Sequence, residues 1–501
     1  MSDKIVIIDG YIDEPAQFGV PPYISPTCRY AFGCYMFYGV TPEYYTIDQI
    51  REHDLWNYLN GFDHLILIGG VSVPGKYIGG NPVKYTELEK ISQYAPHPLK
   101  IYKGPYTLGY TSKGGRDAHV IEHLNNLYDC PVTGNLETFL FYLLKGDLPA
   151  ESIEKDEAVF EKITQYGAPI IRQHPNYPDL ICEIEVSTGC ERNSHCSFCT
   201  EPLFYGKYHE RLPEKILKEI EGLVKNGARY FRLGRAANIL AYGYTKNDKD
   251  GLFLDQLYSG IRQKCPKLGM LHTDNANPGF IQNNPMISEK AIKIISQYNT
   301  SGDSLSFGVE SFDETVIKQN NLAIDPDGVI SACETVNRVG GFLKDGVPAL
   351  LPGINLLFGL IGESTKTFDI NFKYLKKLME KGILLRRINI RKAMVFPETP
   401  LYRYIQKHKI KSHSREFRKF KEKVREEIDR PMLKKVYPSG TIIKDVIVEY
   451  NKGNISFGRK LGTYAILIGI RKKIKPGTKL NVRITEHGYR SVTGVIENED
   501  G

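Results

Sequence analysis

The chain is long, moderately charged and of globular composition. It has 501 residues, of which 41% are hydrophobic and 25% charged, which is typical of folded domains and sufficient for two to four of them. No apolar run approaches the ~18 residues that a membrane-spanning helix needs. The N-terminus runs from Met-Ser-Asp-Lys directly into Ile5–Ile8 and lacks a signal-peptide pattern. These features exclude a membrane-spanning or secreted class and predict a cytoplasmic protein.

Positive charge is concentrated towards the C-terminus. The formal net charge is +8; residues 403–435 hold 13 Lys and Arg against 5 Asp and Glu, and residues 436–501 hold 11 against 6. The first 402 residues are therefore net acidic. The basic region is a candidate surface for a polyanion. The alternative is a solvated charged helix followed by a basic domain.

Residues 1–145 have the pattern of a Rossmann-like α/β domain. Apolar runs at Lys4–Ile8 and Asp63–Ile68 each end at glycine, and Lys100–Tyr102 is a third candidate strand. Buried runs that end in glycine are typical of a parallel, doubly wound sheet. Residues 146–178 contain turn signals around a short helical segment, Ala158–Tyr166, and are interpreted as a connector.

Residues 179–402 alternate between strand and helix patterns. Helices are predicted between the strands, such as Glu214–Asn226, Ile287–Tyr298 and Lys366–Lys381. Six β/α units predict a partial (β/α)6 barrel of TIM type, with its site at the carboxyl ends of the strands. The six predicted strands are Ile181–Val186, Tyr230–Leu233, Met270–Thr273, Ser304–Gly308, Ile354–Phe358 and Arg387–Met394.

Directly after the first of these strands comes Cys190-Glu-Arg-Asn-Ser-His-Cys196-Ser-Phe-Cys199. Three thiolates are one short of the set that fully ligates a four-iron cluster, so one iron stays open to a substrate. Zinc with His195 as a fourth ligand is an alternative, although His195 adjoins Cys196 and a structural zinc site normally needs four well-placed ligands. The six other cysteines are scattered, which is unlike a disulfide framework and indicates core thiols.

A cysteine loop after a strand, with Phe198 before the last cysteine, resembles the radical S-adenosylmethionine (SAM) enzymes. Their usual cysteine spacing is three residues and then two, and the first gap here is five. The resemblance implies that Cys190, Cys196 and Cys199 hold a [4Fe-4S] cluster. It also implies SAM as cofactor and a reductant such as a ferredoxin or flavodoxin as partner.

The same resemblance places SAM contacts at the other strand ends. The family's Gly-Gly-Glu segment corresponds to Arg232-Leu-Gly234-Arg235-Ala-Ala-Asn238, which lacks the glutamate. Structural roles stay open for Arg235 and Asn238, and an Asx-turn cap for Asp274. The candidate SAM-contacting residues are Gly234, Arg235, Asn238, Asp274, Glu310, Ser311, Gly359 and Gly362.

The C-terminal part divides into a basic helical linker, residues 403–435, and a small all-β module, residues 436–498. Gly453 to Tyr464 and Lys475 to Thr485 in that module resemble a TRAM domain, a small barrel like the oligonucleotide-binding (OB) fold that occurs on RNA-modifying enzymes. The resemblance implies RNA, with cations on phosphates and Tyr464 or Phe457 stacked on a base. The candidate RNA-binding residues are Arg459, Lys460, Tyr464, Arg471, Lys472 and Lys473.

Two resemblances concern the N-terminal domain. Gly19-Val-Pro21-Pro22-Tyr resembles a loop of cobalamin-binding-like domains, but Asp117-Ala-His119 is followed by Glu122 where the cobalamin signature has glycine. Cobalamin is therefore a secondary expectation. Phe32-Gly33-Cys34-Tyr-Met36 resembles the first cysteine segment of methylthiotransferases, whose second cluster needs three N-terminal cysteines. Cys28, Cys34 and Cys130 do not match that pattern.

The sequence thus predicts a radical SAM enzyme that modifies a transfer or ribosomal RNA by C–H functionalisation such as methylation. Methylthiolation is an alternative. Two further alternatives are radical SAM chemistry on a protein or small molecule and a non-enzymatic, metal-stabilised RNA-binding protein.

Overall fold

The computed structural model describes residues 3–14, 17–70, 79–109, 124–244, 248, 250–273 and 275–497. The expected α/β architecture is confirmed: a parallel sheet is followed by a half-open β/α barrel and a closed five-stranded barrel. Within those ranges, no helix is long and apolar enough to cross a membrane.

The N-terminal region is a parallel sheet flanked by helices, with strand order β5-β1-β6-β7-β8. Eight strands lie in this region, five of them in that sheet. They are β1 Ile5–Gly10, β2 Asp13–Glu14, β3 Gln17–Phe18, β4 Tyr23–Ile24, β5 Glu43–Thr46, β6 His64–Gly69, β7 Leu99–Lys103 and β8 Cys130–Val132. The helices up to residue 163 are α1 Pro26–Phe37, α2 Ile47–Glu52, α3 Tyr85–Tyr94, α4 Leu124–Leu127, α5 Leu136–Lys145 and α6 Glu157–Ile163. Short 3-10 turns lie at Tyr58–Gly61, Pro105–Thr107, Thr164–Tyr166 and Ala168–Gln173.

The barrel region contains the six predicted strands with short accessory pairs. Its strands are β9 Ile181–Glu185, β10 Ser187–Thr188, β11 His209–Glu210, β12 Tyr230–Gly234, β13 Met270–His272, β14 Asn275–Ala276, β15 Asp303–Glu310, β16 Leu343–Lys344, β17 Val347–Pro348, β18 Leu350–Phe358 and β19 Arg387–Lys392. Its helices are α7 Glu201–Tyr205, α8 Pro213–Lys225, α9 Leu252–Lys264, α10 Pro278–Asn283, α11 Pro285–Tyr298, α12 Glu314–Gln319, α13 Pro326–Gly340, α14 Thr365–Glu380 and α15 Pro400–Ile405, with a 3-10 turn at Ile239–Ala241.

The third predicted strand is β13, and a second short strand, β14, follows it. β13 pairs with β12, and β14 pairs with β15, so the barrel wall consists of two four-stranded sheets, β4-β9-β12-β13 and β14-β15-β18-β19. β4 of the N-terminal region pairs in parallel with β9. Periodicity could not reveal this added edge strand, because two residues carry no alternation signal. It joins the N-terminal region to the barrel wall.

Strand alternation places polar groups inside the barrel. On β9, Cys182 and Ile184 belong to the apolar core beneath the helices. The intervening Glu183 and Glu185 are buried but paired, with Arg232 and Arg235. Successive strand residues point to opposite faces, so the helices cover an apolar outer face while the interior is polar. Helix α8 shows the complementary pattern, with Ile216, Leu217, Ile220 and Leu223 buried on one stripe.

The C-terminal part is a broken helix followed by a closed barrel. The helical pieces are α16 Ser414–Val424, a π-helix Arg425–Asp429 and α17 Arg430–Val436. The closed barrel has the strand order β20-β21-β22-β24-β23. Its strands are β20 Ile442–Lys452, β21 Ile455–Lys460, β22 Leu467–Ile470, β23 Lys479–His487 and β24 Ser491–Ile496.

Candidate active site at the cysteine loop

The cysteine loop, residues 189–200, leaves the carboxyl end of the first barrel strand through the short pair β10–β11. Cys190, Cys196 and Cys199 are partly exposed in it, whereas the other six cysteines of the chain are buried. The partly exposed cysteines are therefore all in this loop. This distribution agrees with the prediction that the scattered cysteines are core thiols.

The donor set of the loop fits a [4Fe-4S] cluster by its chemistry. Arg192 donates from Nη1 to the Cys196 sulfur at 3.2 Å, which favours the thiolate that ligates iron. Burial raises the pKa of Cys190 to about 12 and that of Cys199 further, so bound metal is needed to hold these sulfurs as thiolates. Among the described residues, no three His, Cys, Asp or Glu side chains are already arranged as a metal site.

A buried asparagine anchors the loop to the barrel. The Ser197 amide donates to the Asn320 carbonyl at 3.0 Å, and the Ser197 hydroxyl donates to Asn320 Oδ1 at 2.7 Å. Asn320 Nδ2 in turn donates to the Ile361 carbonyl at 2.8 Å, and the Ile361 amide donates back to Asn320 Oδ1. The Leu401 amide donates to the Ser197 carbonyl at 2.7 Å. Asn320 thus joins the cysteine loop to the ends of β15 and β18.

The neighbouring asparagine holds the other side of the loop. Asn321 Nδ2 donates to the His195 carbonyl at 2.9 Å, and Arg192 Nη2 donates to the Asn321 carbonyl at 2.8 Å. Asn321 has a left-handed backbone with φ of 52°, a conformation that asparagine tolerates well. Sequence reasoning did not assign Asn320 a role, and its only signal is its position after α12.

Asn238, predicted to contact SAM, lies beside the cysteine loop. Its Nδ2 donates to Oε1 of Glu191 at 2.8 Å, and its Oδ1 accepts from the Asn277 amide at 3.1 Å. It therefore links the loops after the first three barrel strands. Glu191, which adjoins Cys190, is a member of the site that sequence reasoning did not single out.

Gly234 and Arg235 are packed against the first barrel strand. Arg235 donates from Nη1 to Glu185 and from Nη2 to Thr27, each at 2.6 Å. Its guanidinium also lies 5.2 Å from the centre of the Tyr205 ring. A Cβ at Gly234 would collide with the Glu183 carboxylate. In this structure, these two residues contact the barrel wall and α1.

Glu310 lies at the end of β15, where the strand register shifts. It is half-buried, and burial raises its pKa to about 8. Its neighbour Ser311 is buried and contacts Asn371 of α14, whose Oδ1 also accepts from the Phe312 amide at 2.7 Å. Glu310 is therefore presented at the strand end, whereas Ser311 is engaged within the fold.

Gly359 and Gly362 follow β18 with φ of 87° and 82°, a left-handed conformation that glycine adopts without strain. The Gly359 amide donates to Glu363 at 2.6 Å. A Cβ at Gly359 would meet open space, whereas one at Gly362 would lie 2.7 Å from Gln319. The backbone at Gly359 is therefore open to a ligand. The remaining candidate, Asp274, lies outside the described residues.

The candidate RNA-binding residues fall into three places. Arg459 is paired with Glu449 within the C-terminal barrel. Lys460 lines a cavity of about 380 Å³ between the two barrels. Residues 471–473 form an exposed basic turn, in which Arg471 pairs with Glu486 at the surface.

Tyr464 is inserted from the C-terminal barrel into the half-open one. Its hydroxyl lies 3.3 Å from Ser306 Oγ, the Arg387 guanidinium lies 4.5 Å from its ring centre, and Phe18 contacts it edge-on at 6.0 Å. The adjacent Thr463 amide donates to His272 at 2.9 Å. In this arrangement the partly buried Tyr464 docks one domain on the other.

The carboxyl ends of strands β1 and β6 in the N-terminal sheet are closely packed. Tyr44 donates to the buried Asp9 at 2.7 Å, and burial raises the pKa of Asp9 to about 6. A Cβ at Gly10 or at Gly69 would lie 2.7 and 3.1 Å from Val83. The described strand ends there are thus closely packed. Asp117, His119 and Glu122, on which the cobalamin expectation depends, lie outside the described residues.

The sequence comparisons agree with this geometry. Residues 184–369 match the family model described as Radical SAM superfamily. The chain is 42% identical to an uncharacterised protein of Methanocaldococcus jannaschii, covering 99% of this chain and 94% of that protein. It is 24% identical to a tRNA-2-methylthio-N(6)-dimethylallyladenosine synthase of Clostridium perfringens over 45% of this chain and 44% of that enzyme.

A solved structure shares the fold over most of the chain. The radical SAM methyltransferase TsrM from Kitasatospora setae, with tryptophan and a SAM analogue bound, superposes with a TM-score of 0.55 at 14% identity, covering 80% of this chain and 75% of that one. Its low identity establishes the fold alone. From the family match, the barrel region of this chain belongs to the radical SAM superfamily, and the chain is an enzyme whose cofactors are a [4Fe-4S] cluster and SAM.

Proposed function

We propose that this enzyme modifies an RNA, either a transfer or a ribosomal RNA, by C–H functionalisation such as methylation. The observation that carries the RNA assignment is a basic, aromatic surface on the C-terminal barrel. The tRNA-modifying relative named above supports the same substrate class. Family membership sets aside the non-enzymatic alternative.

The surface is built around the β20–β21 hairpin. Tyr450 and Phe457 are cross-strand neighbours whose rings stack at 5.1 Å, and Tyr450 is 39% exposed. Asn451 Nδ2 donates to the Ile474 carbonyl at 2.9 Å, and the Ser456 hydroxyl donates to the Lys472 carbonyl at 2.6 Å. These bonds hold the basic turn against the hairpin.

Lysines and aromatic rings are thus exposed side by side. Lys452 ends β20, and Lys472 and Lys473 extend from the basic turn; all three are exposed. Such an arrangement suits a single-stranded nucleic acid, since cations contact phosphates and rings stack on bases without sequence preference. We therefore place RNA on this hairpin surface, formed by Tyr450, Lys452, Phe457, Lys472 and Lys473, and assign Tyr464 to domain docking.

The residues of the cysteine loop have distinct roles in this proposal. Cys190, Cys196 and Cys199 would hold the cluster, which together with SAM supplies one-electron reductive chemistry when bound. Arg192 stabilises the thiolate of Cys196, and Asn320 fixes the loop relative to the strand ends. An external reductant such as a ferredoxin or flavodoxin would supply the electron.

The SAM contacts are proposed at the mouth of the barrel. Asn238 presents an amide beside Glu191, and Glu310 offers a carboxyl at the end of β15 that suits ribose hydroxyls. The free approach to Gly359 allows close contact of an adenine with backbone. Because Arg235 is already bonded to Glu185 and Thr27, we assign it the positioning of β9 and α1 rather than a direct contact with SAM.

The buried N-terminal cysteines favour methylation over methylthiolation. Cys28 and Cys34 are completely buried. The Cys28 sulfur accepts a hydrogen bond from the Ser25 hydroxyl, and the Cys34 thiol donates one to the Glu137 carbonyl. Burial raises both pKa values well above that of a free thiol. Cys130 is also buried. Such thiols are poor ligands for a second cluster, because the thiolate is the ligating form.

Anaerobic reconstitution would test the function. The enzyme with iron, sulfide, reductant and SAM carrying a deuterated methyl group is incubated with total RNA, and the nucleosides are analysed by mass spectrometry. A deuterated methyl on a nucleoside carbon supports the proposal, and the Cys196→Ala variant is the control. Cleavage of SAM without any label in RNA would favour the protein or small-molecule alternative. Gain of sulfur with the methyl would favour methylthiolation.

A further inference from the structure

Four arginines meet at the open side of the half-open barrel. β19 is the last strand of its sheet, and Arg387 and Arg391 lie on its inner face, opposite in alternation to the buried Ile388. Arg425 comes from the π-helix, and Arg490 from the turn between β23 and β24. Arg490 Nη2 donates to the Ile388 carbonyl at 3.4 Å. We call Arg387, Arg391, Arg425 and Arg490 the edge cluster.

The charge of the edge cluster is only partly neutralised. Arg490 Nε lies 3.8 Å from Asp429. The field of Arg391 also reaches the Glu310 carboxyl. Burial lowers the pKa of Arg490, and the neighbouring Arg425 and Arg391 lower it further. Four guanidinium groups therefore face two carboxyls, both of whose pKa values are raised by burial.

Arg387 is the member of the edge cluster that carries a buried donor without a hydrogen-bond partner among the described residues. Its guanidinium stacks on Tyr464, and the donor is its Nε. A buried cationic donor without a partner is unfavourable unless a ligand satisfies it. The orphaned donor therefore points to an anion as its missing partner.

The position of the cluster connects it with the cysteine loop. Glu310 at the end of β15 pairs with Leu356 of β18, and the next residue, Leu357, pairs with Arg391 of β19. The cluster thus lies at the same end of the sheet as Glu310, on its last strand, β19. A substrate that enters past β19 would meet these arginines before it reached the loop.

We infer that the edge cluster binds a phosphate group of the RNA substrate as the RNA enters the barrel. The guanidinium fork matches phosphate oxygens in a bidentate manner, and several forks can share one phosphate. This inference rests on the proposed function and deepens it. It adds a phosphate site inside the barrel to the hairpin surface on the C-terminal barrel.

The test compares Arg387→Gln and Arg490→Gln with wild type in binding to total transfer RNA over a series of salt concentrations. Arg338→Gln is the matched control, because Arg338 is a surface arginine paired with Glu289 on α11. Each edge variant should flatten the plot of log affinity against log salt by about one unit per lost phosphate contact. The control should keep the wild-type slope. SAM cleavage without RNA should equal that of wild type in the Arg338→Gln control.

The outcomes separate the inference from the proposed function. Wild-type slopes in both edge variants, or equal competition by polyglutamate, would overturn the phosphate site while leaving RNA modification intact. If wild type bound no RNA, the proposed function would fail. In that case the melting temperature with inorganic phosphate would decide about the phosphate site. A rise in wild type that is lost in both edge variants would support the site, and no rise in wild type would overturn it. If Arg387→Gln did not fold, Arg425→Gln would replace it.

Discussion

Ser197 and Asn320 are joined twice, through the Ser197 amide to the Asn320 carbonyl and through the Ser197 hydroxyl to Oδ1 of the same asparagine. Ser197 lies between Cys196 and Cys199, and Asn320 closes α12 and contacts the loop after β18. One buried side chain therefore sets the position of the cysteine loop relative to two strand ends.

Replacing Asn320 by alanine should loosen the cysteine loop. The change leaves the Ser197 hydroxyl and the Ile361 amide and carbonyl without partners, at roughly 1–3 kcal/mol for each buried group. We expect a clear drop in melting temperature and in iron retained after reconstitution. Asn283→Ala, at an exposed position at the end of α10, serves as the control. Full iron content in Asn320→Ala would contradict the anchoring role.

The cluster assignment predicts selective loss of iron among cysteine variants. Cys190→Ala, Cys196→Ala and Cys199→Ala should each lose most bound iron and all SAM cleavage, because three thiolates are the minimum set for the open cluster. Cys265→Ala is the control, since Cys265 is a buried core thiol at the end of α9. Iron and 5′-deoxyadenosine are measured. Iron loss in the control alone would reject the assignment.

Phe457 and Tyr464 should separate RNA binding from domain docking. Phe457→Ala is expected to weaken RNA binding by about 1–3 kcal/mol for a lost base stack, with little effect on the melting temperature. Tyr464→Ala should instead destabilise the fold by about 2–4 kcal/mol, because the ring is inserted between Arg387 and Phe18. Fluorescence anisotropy with RNA and urea unfolding provide the two measurements. If Tyr464→Ala weakened RNA binding without loss of stability and Phe457→Ala did the opposite, Tyr464 would be the base-stacking residue.

His174 should contribute to the stability of the fold at neutral pH, and this contribution should be lost in acid. Burial lowers its pKa to about 3, against about 6.5 in an unfolded chain. The unfolded state therefore binds the proton first, and the contribution of neutral His174 is lost as pH falls below 6.5. The difference in unfolding free energy between wild type and His174→Asn should narrow by about 1.4 kcal/mol per pH unit below that point. Urea unfolding at two pH values measures it, and a constant difference would contradict the prediction.

Much of the fold could be predicted from the local pattern. The six barrel strands were recognisable because buried strands give short apolar runs followed by polar residues or glycine. The fifth begins earlier than predicted, at Leu350, because a proline within it obscures the pattern. β4 could not be predicted, because its pairing with β9 depends on residues more than 150 positions apart.

The sequence indicated the chemistry of the candidate site, but not the hydrogen bonds that link its residues to other segments. The three cysteines were identifiable because their number and spacing determine which metal centre they can hold. The roles of Asn320 and Glu191 depend on contacts with other segments, for which the sequence has no signal. Arg235 and Tyr464 fitted a ligand-binding pattern, yet the structure places both against other parts of the protein.

The sequence by itself determined the class of chemistry, the order of the structural regions and the basic character of the C-terminal region, because these depend on residue type and short-range spacing. Only the tertiary structure decided which side chains are engaged and which remain open to a ligand. Packing brings Arg387, Arg391, Arg425 and Arg490 together from three separate segments, because burial of apolar faces sets their relative positions regardless of distance along the chain.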